Sequence, residues 1–209
     1  MNVVLLCGSP RAKKSNSAYL LEQLSDRMGG SLRVETRQAA ATASGVNERT
    51  AELVAASDAL VVALPLYADA IPSALYEVLG QIRARVLETG STPTVYLIVN
   101  SGFYEARQNE LAIEMLWNWC DACGMRRGRA LAAGAGEMSH AAPMGTGPLK
   151  NLGRALDELA RAIERRESGE TMFVEPNFPR MLYRMAGHRS WNAQAKKNGL
   201  KPRDLLHAE

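Results

Sequence analysis

The stretch VVLLCGSPR at residues 3–11, followed by KKSNS at residues 13–17, decides the fold. Five consecutive apolar residues without alternation predict a short strand that is buried on both faces. The glycine, hydroxyl and cationic residues that follow predict a loop leading into a helix over residues 17–28. In open α/β sheets this first loop adjoins a helix N-terminus, whose free N–H groups attract anions. The stretch therefore predicts a parallel sheet with an anion-binding first loop.

Further apolar runs repeat this pattern along the chain. With residues 3–7 they predict five strands, the others at residues 32–36, 59–64, 94–99 and 128–132. Helical periodicity lies between and after the strands, at residues 17–28, 47–56, 71–82, 113–120 and 152–163. The alternation predicts an α/β fold, a parallel sheet with helices on both faces.

Size and composition bound the class of protein. The 209 residues are 46% hydrophobic and 22% charged, which fits one globular domain and excludes disordered, fibrous and disulfide-stapled chains. The first apolar run stops at Gly8, too early for a signal peptide or a membrane span, so we expect a cytoplasmic protein. Three cysteines, Cys7, Cys120 and Cys123, are expected to be free thiols.

Charge is concentrated at the end of the chain. Residues 177–209 carry seven basic and two acidic side chains, a net +5 within a total of +3. Two prolines at 176 and 179 precede two predicted basic helices, at 180–186 and 190–197. We expect a domain at residues 1–170 and a basic extension at 171–209. Either Trp191 anchors this extension on a neighbouring subunit or the extension wraps its own sheet; nucleic acid is an unlikely partner.

The first loop departs from three other ligand-binding motifs. A dinucleotide fingerprint needs three glycines, and only Gly8 is present. Residues 8–15 match a Walker A loop except that Lys13 replaces the second glycine, whose backbone freedom the wrap around phosphates requires. A cysteine phosphatase using Cys7 would need arginine at that same position. An alternative that stays open is that residues 15–17 act only as a helix cap.

Three strand ends carry further polar and aromatic residues. GSPR at 8–11 and SNS at 15–17 follow the first strand, PLY at 65–67 the third, and NSGFYE at 100–105 the fourth. In this order the segments resemble the flavodoxin-like NAD(P)H-dependent FMN reductase family over roughly the first 170 residues, and KKNGL at 196–200 is also similar to that group. The resemblance implies a flavodoxin-like three-layer α/β/α sandwich with a five-stranded parallel sheet, a C-terminal basic helical tail, and FMN as cofactor.

The resemblance also implies roles for individual residues. The first loop would hold the FMN phosphate, the segment around Tyr67 would line the isoalloxazine ring, and residues 100–104 would close its other side. The implied cofactor-binding residues are Ser9, Arg11, Ser15, Asn16, Ser17, Pro65, Leu66, Tyr67, Asn100, Ser101, Gly102, Phe103 and Tyr104. Tyrosine and backbone N–H groups suit the flat face and polar edges of a flavin.

Several alternatives stay open beside these roles. Tyr67 is otherwise an exposed turn residue, and Phe103-Tyr104 a hydrophobic staple onto the fourth helix. The loop at residues 134–138 either reaches the same crevice or is a flexible surface loop. Two thiolates in Cys120-x-x-Cys123 cannot hold a four-ligand iron-sulfur cluster, which leaves a redox dithiol as the alternative to structural cysteines.

The expected function is transfer of hydride from NAD(P)H to FMN and of electrons to a small acceptor such as a quinone, flavin, nitro or azo compound. The cofactor supplies this chemistry, so no catalytic side chain and no metal is assigned. An FMN-binding electron carrier is the main alternative, although such carriers are typically more acidic than this chain. The expected partners are the acceptor and further copies of the chain, as a homodimer or larger; NADH and NADPH are not distinguished.

Overall fold

The predicted strands form one parallel sheet in the computed structural model, which describes residues 1–11, 15–39 and 44–201. Its strands are β1 (Asn2–Cys7), β2 (Arg33–Gln38), β3 (Ala59–Pro65), β4 (Thr94–Asn100), β5 (Arg126–Ala133) and β6 (Met172–Val174). Their order across the sheet is β2-β1-β3-β4-β5-β6, and every neighbouring pair is parallel. The first five strands follow the order of flavodoxin-like doubly wound sheets.

The described residues form six strands, so the prediction of five was wrong. β6 pairs only with β5, through Met172 opposite Leu131 and Val174 opposite Ala133. Its three residues are half-buried and too few to give the apolar run that predicts a strand. The sheet therefore extends past residue 170, and a compact unit ends at Pro176.

Helices cover both faces of the sheet, as predicted. They are α1 (Asn16–Ser25), α2 (Ser44–Ala55), α3 (Ser73–Thr89), α4 (Glu110–Ala122) and α5 (Lys150–Arg165). Alternate residues of each strand point to opposite faces, so β1 gives Val4 and Leu6 to the core under α2, α3 and α4, and Val3 and Leu5 to the core under α1 and α5. The layers are thus helix, sheet and helix.

The helix ends place two loops at the carboxyl edge of the sheet. α1 begins directly after the first loop, where the Ser15 hydroxyl accepts a hydrogen bond from the Ala18 N–H at 3.1 Å. α3 begins after Pro72, whose fixed φ suits the entry to a helix. β1 lies between β2 and β3, so the chain passes from β1 to β2 on one side of it and then to β3 on the other side. The order of the strands reverses at this point, and sheets of this kind bind ligands in the crevice at such a switch point.

The second compact unit, Asn177–Glu209, contains α6 (Arg180–Lys197). This is one continuous helix, so the prediction of two short helices was wrong. Gly187 lies between the two predicted segments, and a glycine inside a helix costs only about 1 kcal/mol. Of the side chains of α6 only Ala195 is buried, and Trp191 is 67% exposed. No helix among the described residues has the length and apolar content needed to cross a membrane.

Candidate functional site

A cavity of about 180 Å³ opens at the carboxyl ends of β1, β3 and β4. It is lined by Ser9, Arg11, Ser15, Asn16, Ser17, Pro65, Leu66, Tyr67, Asn100, Ser101, Gly102 and Glu137. All the residues implied by the sequence therefore surround one cavity, except Phe103 and Tyr104. Lys13 and Lys14 lie outside the described residues. Glu137 is a lining residue that the sequence did not single out by itself.

The first loop is hydrogen-bonded to the end of the neighbouring strand, β2. The amide Nε2 of Gln38, at the end of β2, donates to the carbonyl oxygens of Cys7 at 3.1 Å and Ser9 at 2.5 Å. Ser9 is buried, and its hydroxyl accepts from the Arg11 N–H at 3.3 Å. The Arg11 side chain is exposed and lines the cavity. Gln38 thus orders the loop, a role that depends on strand pairing and has no motif in the sequence.

The start of α1 supplies hydrogen-bond donors to the cavity. Ser15 caps this helix, which agrees with the cap alternative for that residue. Asn16 and Ser17 lie in the first helical turn, where backbone N–H groups have no carbonyl within the helix to bond. These N–H groups carry the partial positive charge of the helix N-terminus. With Arg11 they form a set of donors suited to an anion.

Asn100 joins two strand ends and the start of α1 around the cavity. Its side chain is buried, and Nδ2 donates to the Ser17 hydroxyl oxygen at 2.8 Å and to the Leu64 carbonyl oxygen at 2.9 Å. Its carbonyl oxygen accepts from the Leu66 N–H at 2.8 Å. Asn100 therefore fixes the end of β4 against the end of β3 and the start of α1. It positions the cavity walls as well as lining them.

Ser101 carries an unsatisfied hydroxyl. Its backbone is bonded on both sides, from its N–H to the Ala133 carbonyl at 3.1 Å and from the Gly136 N–H to its own carbonyl at 2.7 Å. Its side chain is 4% exposed, and the hydroxyl oxygen finds no hydrogen-bond partner among the described residues. Leaving a buried polar group unpaired costs roughly 1–3 kcal/mol. A ligand with polar groups in the cavity would remove that cost.

Tyr67 lies on a tight turn at the cavity rim. Its N–H and carbonyl pair with those of Ala70, both at 3.0 Å, and the two residues between them, Ala68 and Asp69, have φ of +47° and +58°. Two consecutive left-handed residues characterise a type I′ turn. Tyr67 is 43% exposed and lines the cavity. It is therefore an exposed turn residue and also one that a ligand in the cavity could contact.

Phe103 and Tyr104 lie outside the cavity and hold the neighbouring loop through their backbone. The Phe103 carbonyl accepts from the Ala135 N–H at 2.5 Å, while its side chain is half exposed. A side chain at Gly134 would overlap the Tyr104 carbonyl oxygen, which explains the glycine. The resemblance implies that these two residues close one side of the flavin ring, and that role stays a prediction beside the backbone contacts described here.

The loop at residues 134–138 reaches the crevice. It continues into the 3-10 helix Gly136–His140, in which the Ser139 hydroxyl donates to the Gly136 carbonyl at 2.6 Å. The rings of His140 and Tyr19 lie 4.3 Å apart, which joins this helix to α1. Contacts on two sides therefore order the loop and bring Glu137 to the cavity wall.

Cys120 and Cys123 are buried free thiols at the end of α4. The Cys120 thiol donates to the Met125 carbonyl at 3.6 Å. Burial raises the pKa of Cys120 to about 12 and that of Cys123 to about 11. Because the thiolate is the reactive form, the structure favours a packing role over a redox dithiol.

No protein-family model and no curated protein sequence matches this chain. Solved structures do resemble it. They include a P. pentosaceus protein described as an NADPH-quinone reductase, 15% identical with a TM-score of 0.58, covering 77% of this chain and 98% of that one. An FMN-dependent NADH-azoreductase from Bacillus anthracis str. Ames Ancestor, solved in complex with FMN, is 14% identical with a TM-score of 0.54, covering 77% and 98%.

A flavodoxin from Streptococcus pneumoniae TIGR4 is also similar, at 10% identity and a TM-score of 0.56, covering 79% of this chain and 99% of that one. Identities this low establish a common fold and nothing finer. Strand order and structural similarity agree, so the first 176 residues have a flavodoxin-like α/β fold.

Proposed function

We propose that this protein is an FMN-dependent oxidoreductase that takes hydride from NAD(P)H and passes electrons to a small acceptor, such as a quinone, flavin, nitro or azo compound. The observation that carries the proposal is the cavity at the ends of β1, β3 and β4, where anion donors adjoin a buried hydroxyl that has no partner among the described residues. The quinone reductase and azoreductase that share the fold support the same class of reaction.

The donor set fits the phosphate end of FMN. Arg11 supplies a cation, Asn16 and Ser17 supply backbone N–H groups, and Ser9 supplies a hydroxyl. A cavity of about 180 Å³ is smaller than the roughly 300–1,000 Å³ of ligand pockets that enclose a whole ligand. We therefore expect the cavity to take the phosphate and the adjoining hydroxyl chain, with the ring at the open rim beside Tyr67.

The remaining residues bind and orient the cofactor. When bound, FMN supplies the hydride-accepting ring, so the protein needs no acid, base or nucleophile of its own. Ser101 offers its unpaired hydroxyl to the cofactor, and Asn100 keeps the walls at a fixed separation. Tyr67 presents an exposed aromatic surface for stacking. An open rim leaves room for the nicotinamide and then the acceptor to reach the same ring in turn.

An electron carrier is the second candidate, supported by the flavodoxin that shares the fold. The net charge of +3 favours the reductase, because carriers of this fold are typically strongly acidic. The two functions differ in their response to nicotinamides. We expect purified protein loaded with FMN to lose its visible flavin absorbance when NADH or NADPH is added without oxygen. Flavin colour that persists with both nicotinamides would favour the carrier, and failure to retain FMN would overturn both.

We also propose that the protein is a homodimer or larger, with α6 at the subunit contact. The helix exposes Met181, Leu182, Met185 and Trp191, four large apolar side chains that a contact with another copy would bury. The expected result is a dimeric mass in light scattering for the full chain and a monomeric mass for Trp191→Ser combined with Met185→Ser. A monomeric mass for the unaltered chain would contradict this proposal.

A further inference from the structure

Glu137 places a carboxylate in the wall of a cavity whose other features attract anions. Among the described residues it is the acidic side chain lining the cavity, and Arg11 is the basic one. The carboxylate oxygen Oε1 lies over Gly102, 3.7 Å from the point where a Cβ would stand on that glycine. An ionised carboxylate accepts hydrogen bonds and cannot donate them. One part of the cavity is therefore suited to hydroxyl donors and unsuited to phosphate.

The segment that carries Glu137 is held by contacts on both sides of it. Gly136 donates from its N–H to the Ser101 carbonyl at 2.7 Å, and a side chain there would press against that oxygen at 3.1 Å. On the other side, His140 contacts Tyr19 of α1. The segment that carries Glu137 is thus attached to the β4 loop and to α1, which form two walls of the cavity, while the Glu137 side chain is itself exposed.

The place of Glu137 in the same cavity as Arg11 makes its charge effective against a phosphate. Arg11 and Glu137 line one cavity, and charges separated by less than the screening length of about 10 Å at 0.1 M salt interact. A phosphate that binds beside Arg11 therefore experiences repulsion from Glu137 as well as attraction to the donors. Hydroxyl groups on an uncharged chain experience only the acceptor.

We infer that Glu137 is a specificity-determining residue that sets the preference of the site between phosphorylated and unphosphorylated flavins and directs the phosphate to the Arg11 side. This inference rests on the proposed FMN site. The carboxylate accepts hydrogen bonds from the hydroxyl chain and lowers the affinity for the phosphate. The site is accordingly less selective for FMN over riboflavin than its donors alone would make it.

The test compares the dissociation constants of FMN and riboflavin, measured by quenching of flavin fluorescence in low salt. For Glu137→Gln we expect FMN to bind about fivefold more tightly, and riboflavin to bind equally or more weakly. The riboflavin-to-FMN ratio of dissociation constants therefore rises. The change should disappear near 1 M salt, where the screening length is about 3 Å. Glu137→Asp, which keeps the charge, should retain the ratio of the unaltered protein.

Glu164→Gln is the matched control. Glu164 is an exposed carboxylate near the end of α5, at the opposite edge of the sheet, and an amide there can still accept from the Gly29 N–H. We expect no change in the ratio for this variant. An unchanged ratio in Glu137→Gln would overturn the inference while leaving the FMN site intact. Absence of FMN binding by the unaltered protein would overturn the proposed function as well.

Discussion

At the carboxyl edge of the sheet polar side chains face an open cavity, whereas at the opposite edge two thiols are enclosed by the core. The first region includes Ser101, whose hydroxyl has no partner among the described residues. The second includes Cys120, whose thiol donates to the Met125 carbonyl, and Cys123, which is equally buried. The first region adjoins an open cavity and includes a polar group without a partner among the described residues, whereas the second encloses its reactive atoms in the core.

The contrast shows that residue type alone does not identify a site. A C-x-x-C spacing is a stronger sequence signal than a serine after a strand, yet burial raises the pKa of both thiols well above neutral. The serine has an ordinary backbone environment, but the residue lies in the wall of a cavity. An adjoining cavity and unsatisfied hydrogen-bonding capacity separate the two regions. Both properties can be changed by substitution.

The largest expected effect concerns the thiols. Because thiolate is the reactive form and the pKa of Cys123 is about 11 and that of Cys120 about 12, native protein at pH 8 should react with a thiol reagent at least about a hundredfold more slowly than free cysteine. The labelled positions are read by peptide mass. The alanine double variant should keep its FMN affinity. Rapid labelling of Cys120 or Cys123 in folded protein would contradict the enclosure of these two thiols in the core.

The next effect is on the cavity walls. Asn100→Ala removes two buried hydrogen bonds and leaves the Leu64 carbonyl without that donor, so the free energy of unfolding should fall by about 2–3 kcal/mol. FMN affinity should fall with it because the walls separate. Chemical denaturation and FMN titration measure the two quantities. Asn151→Ala is the control, since its exposed amide makes one bond to the Glu175 carbonyl. Equal effects in the two variants would contradict the role of Asn100.

Ser101→Ala should lower the affinity for FMN without lowering the free energy of unfolding. Loss of the hydroxyl should weaken FMN binding about five- to tenfold, a net worth of about 1 kcal/mol. The protein without FMN should be equally stable or more stable, because an unpaired buried group has been removed. Ser139→Ala is the matched control: its buried hydroxyl is bonded to the Gly136 carbonyl, so that variant should lose stability. A loss of stability in Ser101→Ala would mean that this hydroxyl has a partner in the folded protein.

The smallest expected effect is at the Tyr67 turn. Ala68 has a φ of +47°, a conformation that costs an alanine about 1–2 kcal/mol and a glycine nothing. After subtracting the chain entropy of glycine, Ala68→Gly should raise the free energy of unfolding by about 0.5 kcal/mol. Ala70→Gly, at a residue without a positive φ, should lower it. Chemical denaturation of both variants checks the sign of each change.

The five long strands and the helices between them were predictable because each carries its own local signal. The run at residues 94–99 has no polar alternation, and β4 is buried along its whole length. β6 carried no such signal, because three half-buried residues are made a strand only by the neighbouring β5. The continuity of α6 was missed for a different reason: Gly187 predicts a break, but a helix tolerates one glycine.

The cavity was predictable where its residues follow strands and was missed where they depend on tertiary contacts. Ser9, Tyr67 and Asn100 come directly after predicted strands, whose carboxyl ends meet at one edge of a parallel sheet. Gln38 acts through strand pairing, and Glu137 reaches the cavity only because its loop packs on Ser101. No local pattern in the sequence marks either contact.

The proposed function requires that the cavity at the carboxyl edge takes the phosphate end of FMN. A crystal structure of the protein grown with FMN would show whether it does. We expect phosphate density within hydrogen-bond distance of Arg11 and of the Asn16 and Ser17 N–H groups, the Ser101 hydroxyl bonded to the cofactor, and the ring beside Tyr67. Density for the phosphate at any other place on the molecule, or an FMN-free cavity at saturating FMN, would contradict it.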